Sequence, residues 1–294
     1  MGRAACHGGG RFRGIVKGMK CPYLPVACAI LAAAAAVSAQ TAPAFNSQEQ
    51  AIADRMAKLR SLPDGEWTLE VGRLARHIQA LPPGEGKHRL IGSLSSMATE
   101  GDAGAETLQA IADVIAGLPP NQRMYGALAL LARYEHVRVS LDDPAYRAAM
   151  AGLEADDRRR MSPQFTLSDL AGKAWSLETL RGKVVLVNFW ATWCPPCRRE
   201  LPDMQALYER FGPRGFTILA ISDDDPGKVR EFVTAQKYTF PVLLDPDRKV
   251  NQLFAVAGIP KSFLYGRDGK LVAQAIDRRT NRQFLEMLKL AGLE

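Results

Sequence analysis

Cys194 and Cys197 are separated by two residues and follow the apolar run Val184-Val185-Leu186-Val187-Asn188-Phe189-Trp190 at the start of a helix-like segment that ends near Phe211. Two thiols at that spacing can close a small disulfide, and a helix N-terminus favours the thiolate of the first. The second can then resolve whatever the first attacks, so the chemistry on offer is thiol–disulfide exchange, with Cys194 as nucleophile and Cys197 as the more covered resolving thiol. The other cysteines, Cys6, Cys21 and Cys28, all precede Gln40. A zinc site would need two further ligands, and the C-terminal half holds no histidine to supply them. His77, His88 and His136 lack His-x-x-x-His spacing and read as surface or packing residues. We expect no metal and no cofactor.

The run Val184 to Trp190 is apolar apart from Asn188, which suits a strand buried on both faces at the centre of a sheet. Pro195 to Phe211 then reads as a crossover helix with Leu201, Met204 and Leu207-Tyr208 inward, and Phe216 to Ser222 as a parallel strand in a β-α-β unit. Asp225-Pro226 opens another helix, and Phe240 to Leu244 is a short strand. Ser262 to Tyr265 and Leu271 to Gln274 are strands joined by the turn Gly266-Arg267-Asp268-Gly269. A hairpin around Ala171-Gly172-Lys173 precedes these elements, and Asn281 to Leu290 closes the chain as a helix. The acids Asp223-Asp224-Asp225 sit at a strand-to-helix junction, where they favour the helix start and are not read as metal ligands.

From about Ala44 to Arg160 the apolar spacing is helical throughout. Trp67, Val71, Leu74, Ile78 and Leu81 share one face, and Leu108, Ile111, Ile115 and Leu118 another. Ser47 with Gln50 suggests a capping box, and Asp143-Pro144 an N-cap followed by a first-turn proline. Breaks at Pro63, Pro82-Pro83 and Pro119-Pro120 hint at stacked helical hairpins. Arg158-Arg159-Arg160 follows Asp156-Asp157 and reads as a solvated linker. The fold class is therefore α/β, an all-α segment over 40–160 added to a sheet domain over 161–294.

The composition, 47% hydrophobic and 23% charged, is that of an ordinary globular chain rather than a disordered one. Five of the seven excess positive charges, Arg3, Arg11, Arg13, Lys17 and Lys20, precede Gln40 with no acid among them. The high pI thus gives no support to a nucleic-acid reading. Basic residues, an Ala-rich stretch from Leu24 to Val37 and the small residues Val37-Ser38-Ala39 make 1–39 resemble a secretory signal, with Met19 the more conventional start. Retention of the segment as a membrane anchor is the alternative. Without it, only Cys194 and Cys197 remain, in a chain sent to a compartment where disulfides form.

Asn188 through Pro202, with Gly258-Ile259-Pro260-Lys261-Ser262-Phe263-Leu264 and Asp268-Gly269, resembles the TlpA/ResA-type branch of exported thioredoxin-like proteins. The resemblance covers Met161 to Glu294 and does not reach the helical segment. It implies a thioredoxin-like fold, a cis peptide bond at Pro260 facing the dithiol, and pairing of the Ile259 backbone with an extended substrate segment. Glu200 matches a glutamate of that branch and is the candidate for moving the resolving thiol's proton; an exposed first-turn acid is the alternative. Asn188 stands where thioredoxin carries a titrating Asp. Pro195 and Pro196 remove N–H donors from the loop between the thiols and tune it. Trp193 is assigned to substrate contact, against packing. Spacing speaks against a peroxiredoxin, since Thr192 lies two residues before Cys194 and Cys197 is too close.

The expected function is reduction of protein disulfides in the periplasm through a Cys194 mixed disulfide, fed by an upstream electron donor such as a membrane thiol carrier. Cytochrome c maturation is one role that the resemblance implies. A disulfide oxidant or isomerase, and a helical binding or scaffold protein with an accessory redox domain, stay open as alternatives.

Overall fold

The computed structural model describes residues 44–119 and 121–294. The signal-like segment and the choice of start lie outside them. Six helices come first: α1 (Ser47–Met56), α2 (Asp64–Ala80), α3 (Glu85–Ala98), α4 (Ala105–Ala116), α5 (Gln122–Tyr134) and α6 (Pro144–Arg160). Their apolar faces meet in one core that contains Trp67, Leu74, Ile91, Leu94, Ile111 and Leu128. The caps explain where helices begin. Asp143 accepts from the N–H groups of Ala145 and Tyr146 ahead of Pro144, as its type predicts. At α1 the capping box is Asn46 with Glu49, not Ser47 with Gln50, because Asn46 is the residue with extended backbone and Glu49 the one three positions on.

The sheet half begins with a two-strand hairpin, β1 (Leu167–Ser168) and β2 (Ala174–Trp175), whose turn is gathered by the Asp169 carboxylate accepting from Ala171, Lys173 and the Trp175 indole. Then follow β3 (Val184–Phe189), α7 (Pro195–Phe211), β4 (Phe216–Ser222), α8 (Pro226–Gln236), β5 (Val242–Leu244), α9 (Lys249–Leu253), β6 (Lys261–Tyr265), β7 (Leu271–Ala275) and α10 (Asn281–Leu290). The five long strands order β5-β4-β3-β6-β7. β3 pairs parallel with β4 and antiparallel with β6, so it is central and the sheet is mixed. Alternate side chains of β3 enter different cores: Val184 and Leu186 pack with α7 and α10, while Val185, Val187 and Phe189 pack with Phe254, Phe263 and Tyr265. That double burial is why the strand shows no polar alternation in sequence.

Helices and sheet form one compact unit, Pro43–Glu294. The expected solvated linker at 158–160 is not found. These residues are the last turn of α6, and Arg160 is buried, its guanidinium donating to the Phe254 carbonyl at 2.7 Å and lying over the Phe263 ring. A cation at a helix C-terminus is favoured by the dipole, and here it finds a second set of carbonyls across the seam.

Candidate active site

Cys194 occupies the N-cap of α7, held there because β3 ends at Phe189 and the two prolines can only begin a helix, not continue one from upstream. Its Sγ accepts the N–H of Cys197 at 3.3 Å. The sulfurs of Cys194 and Cys197 are joined as a disulfide. Both are covered, Cys194 being 2% and Cys197 0% exposed. The peptide bond between Ile259 and Pro260 is cis, and the Ile259 carbonyl oxygen lies 3.8 Å from the Cys194 Sγ. So the two motifs, 65 residues apart in the chain, meet at one sulfur. Of the three residues that follow Cys194, Pro195 and Pro196 have no N–H, and only Cys197 donates to the sulfur. Trp193, next to Cys194 in the chain, is 67% exposed.

Beneath the disulfide is a buried polar group. Glu200, three residues after Cys197 and on the same side of α7, is 1% exposed, so it is not the exposed first-turn acid that its position also allowed. One carboxylate oxygen accepts from the Asn188 amide at 2.8 Å, the other from the backbone N–H of Arg279 at 3.0 Å. The Asn188 amide also donates to the Ser262 hydroxyl at 2.9 Å, while its own Oδ1 is buried without a partner. Burial pushes the Glu200 carboxyl up to about 8, against the opposing pull of the Arg279 N–H, the Asn188 amide and the charges of Arg278 and Arg279. Ser262 and Arg279 are site residues that sequence reading missed. Ser262 could have been found from its register, since it pairs with Asn188 across β3 and β6. Arg279 contributes a backbone N–H, which no residue type announces.

The run Asp223-Asp224-Asp225 spends its carboxylates locally. Asp223 pairs with Arg248, Asp224 accepts from Thr192, and Asp225 caps α8 at the Lys228 N–H. Among the described residues no group of three or more His, Cys, Asp or Glu is placed to hold a metal ion.

A central mixed sheet with a dithiol at the start of the helix after its middle strand, facing a cis-proline loop, defines a thioredoxin-fold thiol–disulfide oxidoreductase. The AhpC/TSA family profile matches residues 159–274. The thiol-disulfide oxidoreductase ResA of Bacillus thuringiensis (strain Al Hakam) is 37% identical over 145 residues, 49% of this chain and 84% of that one. ResA of Bacillus subtilis (strain 168) is 35% identical over 146 residues, 49% of this chain and 82% of that one. Among solved structures, a putative thiol:disulfide interchange protein DsbE from Chlorobium tepidum shares 30% identity with a TM-score of 0.43, covering 45% of this chain and 94% of that one. The chain belongs to the ResA family of thiol–disulfide oxidoreductases. The AhpC/TSA match starts at residue 159, so all but the last two residues of the helical segment lie outside it.

Proposed function

We propose that this protein is an exported reductant of protein disulfides. The observation that carries the direction is the single N–H donor at the Cys194 sulfur. A strong oxidant stabilises its thiolate, and two prolines withhold two of the donors that would do so. The Cys194 thiolate attacks one sulfur of the substrate disulfide; that bond breaks, and the other substrate sulfur leaves and takes a proton. Cys197, deprotonated, attacks the Cys194 sulfur, closing the internal disulfide and releasing the second substrate thiolate. Two electrons have then passed to the substrate, and an upstream thiol donor restores the pair.

Glu200 takes the proton of Cys197. Its carboxyl, pushed up to about 8 by burial, can hold a proton near neutral pH, which suits a group that exchanges one with a buried thiol. A half-turn of the Asn188 amide would offer the unpartnered Oδ1 to a protonated Glu200, letting one side chain serve both states. Ile259 and Pro260 present backbone to an extended substrate, and exposed Trp193 supplies an apolar contact beside it. The signal-like residues before Gln40 support export to the periplasm, and a membrane thiol carrier fits as donor; cytochrome c maturation is one pathway that such a reductant serves.

Cys197→Ala should stall the reaction and accumulate protein partners disulfide-linked to Cys194, with none in Cys194→Ser. Recovery of no linked partner in an oxidising compartment would overturn the protein-substrate reading. A reduction potential near about −120 mV, the range of strong oxidants, would overturn the direction.

A further inference from the structure

Three consecutive residues between β7 and α10 are each held by a different part of the helical segment. Asp277 accepts from the Thr99 hydroxyl, just past α3, at 2.5 Å. Arg278 makes a two-pronged pair with Asp64 at the start of α2, both contacts at 2.8 Å. Arg279 pairs with Glu135, just past α5, at 2.5 Å, and both side chains are at least nine-tenths buried. In the first turn of α10, Arg282 pairs with Asp102 and the Gln283 amide donates to the Gly101 carbonyl. The same connection gives its Arg279 N–H to Glu200. A stretch of chain that holds the buried carboxylate on one side is thus fastened on the other to α2, α3 and α5.

Among the described residues, the cations whose charges act on the Glu200 carboxyl are Arg278 and Arg279 of this connection; Lys261 of β6 and Asp277 interact with Arg279 or with each other beside it. β3 and β6 offer the neutral Asn188 and Ser262. On α7 the near residues are the cysteine pair, Arg199, whose guanidinium donates to the Arg60 carbonyl, and Asp203, one turn on. The connection offers Arg278 and Arg279, whose charges favour the ionised carboxylate, and their counter-charges Asp64 and Glu135 come from the helical segment.

We propose that the helical segment sets the protonation of Glu200 by fixing the Asp277–Arg279 connection, with Glu135 as the positioning residue and Asp64 as the partner that balances Arg278. The hydrogen bond from the Arg279 N–H requires that backbone to stay still, and the Glu135 pair is what prevents the Arg279 side chain from turning out. The helical segment, all but its last two residues outside the family match, thereby acts on the redox chemistry without touching a sulfur. This inference rests on the proposed role of Glu200 as proton carrier for its consequence in catalysis, though not for the coupling itself.

The test is the titration of the Glu200 carboxyl by carbon-13 NMR in the full chain, alongside the pH profile of disulfide reduction. The double variant Arg279→Met/Glu135→Leu removes the pair without stranding a buried charge. It loses a nearby cation and loosens the N–H, so the Glu200 midpoint should rise by about one pH unit. Asp64→Asn keeps a hydrogen-bonding partner for Arg278 at a half-exposed position but leaves that guanidinium's charge unbalanced, so the midpoint should fall, by less. Opposite shifts of this kind support the coupling. Absence of movement in both variants overturns it, and a shift of the reduction profile that persists unchanged when Glu200→Gln is added overturns its consequence in catalysis. If the carboxyl midpoint moves while the reduction profile does not, the coupling stands and the proton-carrier role of Glu200 fails.

Discussion

The helical and sheet halves bury polar groups in different ways. In the helices the core is apolar, and the buried charges Glu100, Asp157 and Arg160 lie at the seam with the sheet half, each in a pair or on a carbonyl. In the sheet half Asp245 is buried on three N–H groups of Val250 and Asn251, and Arg278 and Arg279 are buried in pairs at the seam, whereas Asn188, Glu200 and Ser262 lie inside, next to the disulfide. Glu200 is held by an amide and a backbone N–H rather than by a guanidinium, and the Asn188 Oδ1 has no partner at all. A buried carboxyl without a direct counter-charge costs stability when ionised. The difference separates groups kept for cohesion from groups kept in a costly state beside reacting atoms.

The comparison can be broken from either side. Leu94→Ala, at a fully buried position of the helical core, should cost about 2–5 kcal/mol, with the same loss at every pH. Urea unfolding at several pH values measures both the size and the flatness. Glu200→Gln should behave in the opposite manner. Between the ordinary value of 4.5 and about 8, the folded wild type keeps a proton on Glu200 that the unfolded chain has released, so its stability falls as pH rises through that window. The amide variant escapes that fall. Relative to wild type it should be near neutral at pH 4 and more stable by a few kcal/mol above pH 8; a difference that stays flat with pH would show that Glu200 is not held in a costly state. The smallest effect belongs to the cap of α6, Asp143→Ala, which removes the Oδ1 that accepts from the Ala145 and Tyr146 N–H groups and should cost about 1 kcal/mol by the same unfolding measurement.

What was readable in sequence followed from short-range physics. The double burial of β3 shows as an unbroken apolar run, and the caps Asp143 and Asp225 show as acids before proline. Asn46 and Ser47 are both residue types that cap helices, and only backbone geometry chooses between them. The acids just before Arg160 suggest a solvated charge, and nothing local reveals that a carbonyl 94 residues away takes its guanidinium.

The sequence by itself determined the reacting pair: a spacing of three along the chain, two prolines between the sulfurs, and a strand-to-helix junction that puts Cys194 at an N-cap. Those are properties of neighbours, fixed by covalent geometry and by the helix dipole. Only the tertiary structure decided what surrounds the pair. It brought Ile259 to the Cys194 sulfur, shut Glu200 away from water, and tied the Arg279 N–H that holds it to the helices. Long-range packing sets burial and charge proximity, and these set proton affinity, so the state of Glu200 could not be read from its own stretch of chain.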